Sequence, residues 1–195
     1  MEIPQKFCSN IDFCNIIPKR IIAKNLGKNS PKYDIKSNEV EELLDKWGKV
    51  SFQLEVEFGG FIRHITLAFL EENSCNPELL PRLQEINVNE LKIKIVGFST
   101  FGRRNPFIVA IVHFGKHQEI LQNINLLGDK EGTTKERNFH LSTCLGWQNG
   151  TICLRGDDEM TDEHKIVVKW IVEIGNFYEN ASDKFLLKKF RQMCV

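Results

Sequence analysis

The segment VSFQLEVEF, residues 50–58, constrains the fold of this chain most, because apolar and polar side chains alternate in it without a break. In an extended strand, such alternation puts all the apolar residues on one face. The apolar positions are Val50, Phe52, Leu54, Val56 and Phe58. Two glycines at positions 59 and 60 then predict a turn, after which FIRHITLAF can return as a second strand. The sequence therefore predicts a hairpin with one buried face.

Apolar periodicity predicts further helices and strands along the chain. The predicted helices are SNEVEELLDKW, NPELLPRLQEIN and KHQEILQNINLLG. The predicted strands are ELKIKIVGFSTFG, NPFIVAIVHF, NFHLSTCLGW, GTICLRG and IVVKWIVEIGNFYE, the last one preceded by an acidic linker, DDEMTDEHK. Residues 1–48 are rich in Lys and Arg and predict little besides the first helix. Because no segment resembles an interdomain linker, we expect a single α+β domain over residues 1–195.

Composition indicates an ordinary globular protein with no excess charge. The 195 residues are 42% hydrophobic and 27% charged, and 26 Lys and Arg balance 26 Asp and Glu. A surface with no net charge attracts polyanions weakly at long range, so any contact with nucleic acid should be local. The N-terminal residues do not match a secretory signal, and no apolar run approaches the roughly 18 residues of a membrane span. We therefore expect a cytoplasmic monomer that does not bind membranes.

The cysteines and histidines do not follow a metal-binding pattern. The six cysteines are scattered and include no CxxC pair, which favours reduced thiols. His113 and His117 have the spacing of a helical metal pair, but Gly115 between them predicts the end of a strand. We expect no cofactor and no obligate metal.

Two short segments place a hydroxyl residue two positions after a histidine. In HITL the pair is His64 and Thr66, and in HLST it is His140 and Ser142. Side chains at positions i and i+2 of a strand leave the same face, so each imidazole would point the same way as its hydroxyl. The residue between them would enter the core.

Two such strands side by side would offer two imidazoles and two hydroxyls to one phosphodiester. A neutral imidazole can accept a proton from water or a ribose hydroxyl, and an imidazolium can protonate the departing oxygen. The hydroxyls can bind the nonbridging oxygens, and this scheme uses no metal. The alternative for each segment taken singly is a half-buried strand histidine that hydrogen-bonds to backbone.

The residues around the first histidine carry a family resemblance. HITLAFLEE resembles the first motif of the LigT-like branch of the two-histidine (2H) phosphoesterase superfamily, with Glu71 in place of the family's glycine. LKIKIVGFSTFGRRNPFIVAIVHF is similar to the family's strand, turn and return strand, and FHLSTCL to its second histidine motif. WIVEIGNFYEN is similar to its closing strand, which ends in an aromatic pair. The resemblance covers about residues 50–185 and leaves residues 1–48 unmatched.

The resemblance implies a bilobal α+β fold, with two antiparallel sheets around a central groove and helices outside. It implies that His64 and His140 are the catalytic pair and that Thr66 and Ser142 bind phosphate. Which histidine is the base and which the acid stays open.

The resemblance also implies a nucleotide or short RNA substrate. Family members hydrolyse 2',3'-cyclic phosphates, 2',5'-oligoadenylates or cyclic dinucleotides such as 2',3'-cGAMP, and many viral members destroy messengers of innate immunity. We therefore expect a metal-independent phosphodiesterase acting on RNA-type linkages, as a viral antagonist of nucleotide-based immune signalling. Tyr178 and Phe101 are predicted to stack on a base at the rim of the groove.

Two other readings stay open. The chain could be a catalytically silent nucleotide- or RNA-binding module on the same scaffold. It could also be a structural interaction protein, and in that case the two histidine strands would lie apart.

Overall fold

The computed structural model describes residues 16–27, 31–58, 60–71, 76–102, 104–128, 139–148, 151–154, 159, 161–174, 177–178 and 187–188. Within these residues the strands form two sheets. The first sheet contains β1 (Ile17–Asn25), β2 (Lys32–Asp34), β3 (Val50–Phe58) and β4 (Phe61–Leu70). The second contains β5 (Lys94–Phe101), β6 (Phe107–His113), β7 (Phe139–Gln148), β8 (Thr151–Leu154), β9 (Phe177–Tyr178) and β10 (Leu187–Lys188).

Helices and short turns connect these strands. The helices are α1 (Val40–Lys46), α2 (Leu79–Gln84), α3 (Gln118–Leu127) and α4 (Asp162–Ile174). Single 3₁₀ turns occupy Val88–Glu90 and Gly115–His117. No described helix has both the length and the apolar character needed to cross a bilayer.

The first sheet is antiparallel throughout, in the order β2-β1-β3-β4. The predicted hairpin is its β3–β4 pair, in which Phe58 faces Phe61. Gly60 in the turn has φ of 84°, a left-handed conformation that glycine adopts without steric cost. Strict alternation in β3 therefore led to the correct strand pair.

The second sheet has the order β10-β9-β5-β6-β7-β8. Its neighbouring strands are antiparallel, except that β5 and β9 run parallel. The predicted α+β arrangement of two sheets is confirmed.

One hydrophobic core joins both sheets and α4. Strand residues that alternate with the histidines and hydroxyls face this core, as the sequence predicts. Its members include Leu54, Ile65 and Leu67 of the first sheet, Phe98, Ala110 and Leu141 of the second, and Val167 and Ile171 of α4.

Residues 162–174 form an α-helix, so the predicted acidic linker and most of the predicted last strand are wrong. Thr161 Oγ1 accepts a hydrogen bond from His164 N at 3.2 Å, and His164 Nδ1 accepts one from Thr161 N at 3.1 Å. This reciprocal pair is a capping box with histidine in the place of the usual Glu or Gln. The β-branched run that follows favoured a strand, but Val167 and Ile171 are buried one helical turn apart. His164 of this helix is also buried.

The pair β1–β2 lies in the part of the sequence where no strand was predicted. Strand β1 reads IPKRIIAKN, and its cations interrupt the apolar alternation that would identify a strand. Pairing with β3 orders this segment, because Ile21 and Ala23 enter the core while Arg20 and Lys24 stay on the opposite face. A strand stabilised mainly by its neighbour carries little local signal.

Candidate functional site

Strand β4 of the first sheet contacts β7 of the second. His64 and Thr66 lie on β4, and His140 and Ser142 lie on β7. The two histidine segments therefore occupy strands that touch, although they are far apart in sequence. The reading as a structural interaction protein required these strands to lie apart, and their contact argues against it.

The register of the first sheet identifies the neighbours of His64 and Thr66. His64 is paired with Glu55 of β3, which is paired in turn with Arg20 of β1. Thr66 is paired with Gln53, whose other neighbour is Ile22. Paired residues share a face of the sheet. The face that carries His64 is therefore polar, in contrast to the core face.

A β-bulge follows Thr66 directly. Phe52 pairs with Ala68 and Gln53 with Thr66, so Leu67 is the extra residue on β4. Asn125 of α3 is buried, and its Nδ2 donates a hydrogen bond to the Leu67 carbonyl oxygen at 2.7 Å. Because a bulge changes the direction of the neighbouring side chains, this contact helps to set how Thr66 is aimed.

Helix α3 also approaches β4 very closely just after this bulge. A Cβ atom on Gly128, which follows α3, would lie 2.6 Å from the Phe69 carbonyl oxygen. Real Cβ atoms do not come that close to backbone, so the end of α3 needs glycine to reach β4. The contact holds α3 against the strand that carries His64.

The register of the second sheet identifies the neighbours of His140 and Ser142. His140 is paired with Ile111 of β6. Ser142 is paired with Val109, and the same row across the sheet continues through Ser99 of β5 to Tyr178 of β9. The Ser99 hydroxyl is buried, and no hydrogen-bond partner is found for it within the described residues. The sequence analysis did not single out Ser99.

A bulge also follows Ser142. Val109 pairs with Ser142 but Phe107 pairs with Gly146, so β7 has extra residues at this point. The buried Thr143 hydroxyl donates to the Ile108 carbonyl oxygen at 2.7 Å. Both hydroxyl residues thus stand immediately before a bulge that a buried polar side chain holds in place. Nothing in the sequence marked Asn125 or Thr143 for this role, because a bulge depends on the partner strand.

Of the two aromatic residues predicted to stack on a base, the structure describes the side chain of Phe101. The Phe101 ring lies 5.3 Å from the His140 ring, centroid to centroid, and is 47% exposed. It also contacts the Phe107 ring at 5.5 Å. Tyr178 is in register with Ser99 in β9, but its side chain lies outside the described part of the structure. The structure therefore brings Phe101 to His140 and leaves the predicted stacking untested.

The pKa of His64 is lowered from its ordinary value of 6.5. Desolvation of the ring is the largest cause, because it disfavours the charged imidazolium, although the residue as a whole is exposed. The positive charges of Lys24, Lys32 and Arg63 lower the pKa further, and Glu55 opposes them. His64 is therefore mostly neutral at pH 7.

Two cations weaken the effect of Glu55 on the pKa of His64. Arg20 Nε lies 2.8 Å from Glu55 Oε2, and Lys32 Nζ lies 4.0 Å from Glu55 Oε1. The Glu55 side chain is only 15% exposed, so the contact with Arg20 is shielded from solvent on the carboxylate side. Because the Glu55 carboxylate also interacts with these cations, it offsets only part of the lowering of the His64 pKa.

Among the described residues, no group of three or more His, Cys, Asp and Glu side chains is gathered in a way that could hold a metal ion. Proton transfer by imidazole, and hydrogen bonding by hydroxyls, are the chemistry that the residues around His64 and His140 can perform.

A family model described as LigT like phosphoesterase matches residues 53–109. The matched segment contains the motif of His64 and Thr66, as well as β5 and the start of β6, whereas His140 lies beyond it. No curated protein and no solved structure matches the chain. The family match confirms the resemblance read from HITLAFLEE: residues 53–109 are similar to the LigT-like phosphoesterases of the 2H superfamily.

Proposed function

We propose that this protein is a metal-independent phosphodiesterase that cleaves RNA-type linkages, with His64 and His140 as its catalytic pair. The observation that carries the proposal is the contact between β4 and β7, each of which bears a histidine and a hydroxyl on one face. The family match over residues 53–109 supports a phosphoesterase that acts on nucleotide or RNA linkages.

His64 is the general base in the proposed mechanism. Its pKa is lowered by desolvation and by three nearby cations, which favours the neutral ring that can accept a proton. In a 2',5'-linkage, that proton comes from the vicinal 3'-hydroxyl as its oxygen attacks phosphorus. An internal nucleophile of this kind has a high effective molarity, so no metal-activated water is needed.

His140 is the general acid. As the new bond to phosphorus forms, the bond from phosphorus to the leaving 5'-oxygen breaks, and His140 gives its proton to that oxygen. The products are a 2',3'-cyclic phosphate and a free 5'-hydroxyl. Water can then open the cyclic phosphate with the two histidines in exchanged roles. Thr66 and Ser142 donate hydrogen bonds to the nonbridging oxygens, where negative charge develops.

The proposal extends to substrate and biological role. We propose that the substrate is a 2',5'-oligoadenylate, a 2',3'-cGAMP-like cyclic dinucleotide or a 2',3'-cyclic phosphate. Cleavage of such molecules would remove messengers of innate immunity, which fits a viral antagonist acting as a cytoplasmic monomer. We also propose that residues 1–195 form one domain of this type, with Phe101 and Tyr178 stacking on a base.

Substitution of either histidine tests the assignment. We expect His64→Ala and His140→Ala each to lower kcat by a factor of about 100 or more, since each removes one proton-transfer group. The matched control is His117→Ala, which removes a histidine from the 3₁₀ turn before α3 and should keep full activity. Thermal unfolding should show that all three variants fold. Full activity in either of the first two variants would contradict the assignment.

A substrate panel separates the remaining possibilities. Products of 2',5'-oligoadenylate, 2',3'-cGAMP, 3',3'-cyclic dinucleotides and RNA with a 2',3'-cyclic phosphate should be analysed with and without EDTA. We expect turnover that EDTA does not change. Loss of turnover in EDTA would refute metal independence, and binding without turnover on the whole panel would favour the silent binding module.

A further inference from the structure

We propose that Lys24 and Lys32 form a second phosphate subsite beside His64, so that the preferred substrate carries a further phosphate next to the scissile one. The inference rests on the proposed function, because it names the substrate class of the same site. It favours oligonucleotides with two or more phosphates over nucleotides with a single phosphodiester.

The two lysines face each other directly across β1 and β2. Lys24 is paired with Lys32 in the register of these antiparallel strands. Like charges directly opposite each other destabilise a sheet. An anion close to both ammonium groups would relieve this repulsion.

Carboxylates of the described residues neutralise the positive charge of these two lysines only in part. Lys32 Nζ is 4.0 Å from Glu55 Oε1, but Arg20 binds the same carboxylate at 2.8 Å. No carboxylate of the described residues forms an ion pair with Lys24. Asp34 lies on the same face, and its Oδ1 accepts a hydrogen bond from the Lys36 amide at 2.9 Å. The Lys24–Lys32 pair thus has room for an external anion.

The lysine pair lies on the face that carries His64 and Thr66. Lys24 is paired with Ser51, and Thr66 is paired with Gln53, two positions further along β3. Residues two apart on a strand share a face, so the lysines and the catalytic motif point to the same side. The side chain of Lys32 is 53% exposed, which leaves its ammonium open to a ligand.

The spacing suits a neighbouring phosphate. The rows of Lys24 and Thr66 are about 7 Å apart along the strands, and β1 and β4 are about 10 Å apart on either side of β3. By these spacings Lys24 lies about 12 Å from Thr66, and Lys32 lies one strand further away. The next phosphate of a nucleotide chain can lie between them.

The electrostatic effect on His64 agrees with this geometry. Lys24 and Lys32 both act on the imidazole, together with Arg63, and Glu55 alone opposes them. The local charge at the site is therefore positive, although the chain as a whole has none. Local positive charge selects polyanionic ligands without long-range attraction by the whole protein.

Two 2',5'-linked adenylates that differ by one phosphate test the subsite. Binding of fluorescein-labelled diadenylate and triadenylate should be measured by anisotropy in the His140→Ala background, so that ligand is not consumed. We expect Lys24→Gln/Lys32→Gln to raise the Kd of triadenylate about tenfold and that of diadenylate less than twofold. The slope of log Kd against log salt for triadenylate should fall by about 1 per lysine removed.

The matched control removes two exposed lysines outside β1 and β2. Lys46→Gln/Lys92→Gln changes the net charge equally and should leave both Kd values unchanged. The subsite is refuted if both double variants weaken triadenylate alike, or if Lys24→Gln/Lys32→Gln weakens both adenylates by the same factor. These binding data do not depend on turnover, so absence of turnover in the wild type would refute the proposed function separately.

Discussion

At the scale of single residues, His64 has the most informative environment in the described structure. Burial disfavours its charged form, and Lys24, Lys32 and Arg63 add to the effect, while Glu55 stabilises the imidazolium. These opposing contributions come from all four strands of the first sheet. They make the protonation of His64 adjustable by substitutions that leave the imidazole itself intact.

We expect the acid limb of the pH profile of kcat/KM to report His64, because a general base must be deprotonated in the free enzyme. The limb should lie below pH 6.5, the ordinary pKa of histidine. Glu55→Gln removes the charge that raises the pKa, so it should move the limb to lower pH. Lys24→Gln removes a charge that lowers the pKa, so it should move the limb to higher pH.

Two measurements check these shifts. The pH profile should be recorded for both variants at constant ionic strength, and the His64 ring should be titrated by NMR. If the two substitutions move the alkaline limb and leave the acid limb in place, His64 is the acid and the proposed roles are reversed.

At the scale of secondary-structure elements, the two bulges matter most. Each follows a hydroxyl residue, and each depends on a buried polar side chain, Asn125 at Leu67 and Thr143 at Ile108. A hydrogen bond to a buried carbonyl prevents the cost of leaving that group unsatisfied. Both side chains are therefore positioning residues that act through the strand on Thr66 or Ser142.

We expect Thr143→Val and Asn125→Leu to lower the free energy of unfolding by about 1 to 3 kcal/mol each, because each leaves a buried carbonyl without its donor. We also expect kcat to fall about tenfold or more with little change in KM, since a small displacement of a catalytic group is costly. Urea unfolding and steady-state kinetics on the folded variants check both effects.

Conservative and neighbouring substitutions serve as controls. Thr143→Ser keeps the hydroxyl and should restore kcat. Asn123→Ala removes an exposed amide from the same helix as Asn125 and should leave kcat unchanged. If the Thr143→Val and Asn125→Leu variants lose stability but keep kcat, the two residues are structural only.

The helices and strands that could be predicted from the sequence are those whose patterns are local. Strong alternation in β3 and helical periodicity in α3 identified these elements, because their patterns are local. The strand β1 escaped prediction because pairing with β3 stabilises it, and α4 was read as a strand because its β-branched residues outweighed the capping box at Thr161. The histidine and hydroxyl residues were identified by spacing, whereas Asn125, Thr143 and the lysine pair depend on contacts between distant segments.

At the scale of the whole molecule, the ion pair between Arg63 and Glu163 connects residues that are 100 positions apart in sequence. Arg63 of β4 donates a hydrogen bond to Glu163 of α4, and both side chains are mostly buried. Helix α4 contacts β5 and β7, so the pair ties the first sheet to a helix that packs on the second. The strands of both candidate catalytic residues are thus linked through it.

We expect a double-mutant cycle of Arg63→Gln and Glu163→Gln to give a coupling energy of about 1 to 3 kcal/mol, as for hydrogen bonds between charged groups with limited solvent access. Urea unfolding of the four proteins measures it. The control cycle uses Lys165 and Asp162 of the same helix, 3.7 Å apart and highly exposed, for which solvent screening should leave a few tenths of a kcal/mol at most. Equal coupling in both cycles would refute a special role for the Arg63–Glu163 pair.

The lysine pair on β1 and β2 has a consequence for how a ligand arrives. With 26 cationic and 26 anionic side chains in the chain, positive charge gathered at one sheet must be balanced by negative charge elsewhere. The molecule then has a permanent dipole moment even though it has no net charge. In the field of an approaching polyanion, a dipole experiences a torque, and this one would rotate the sheet that carries His64 toward the ligand before the two touch.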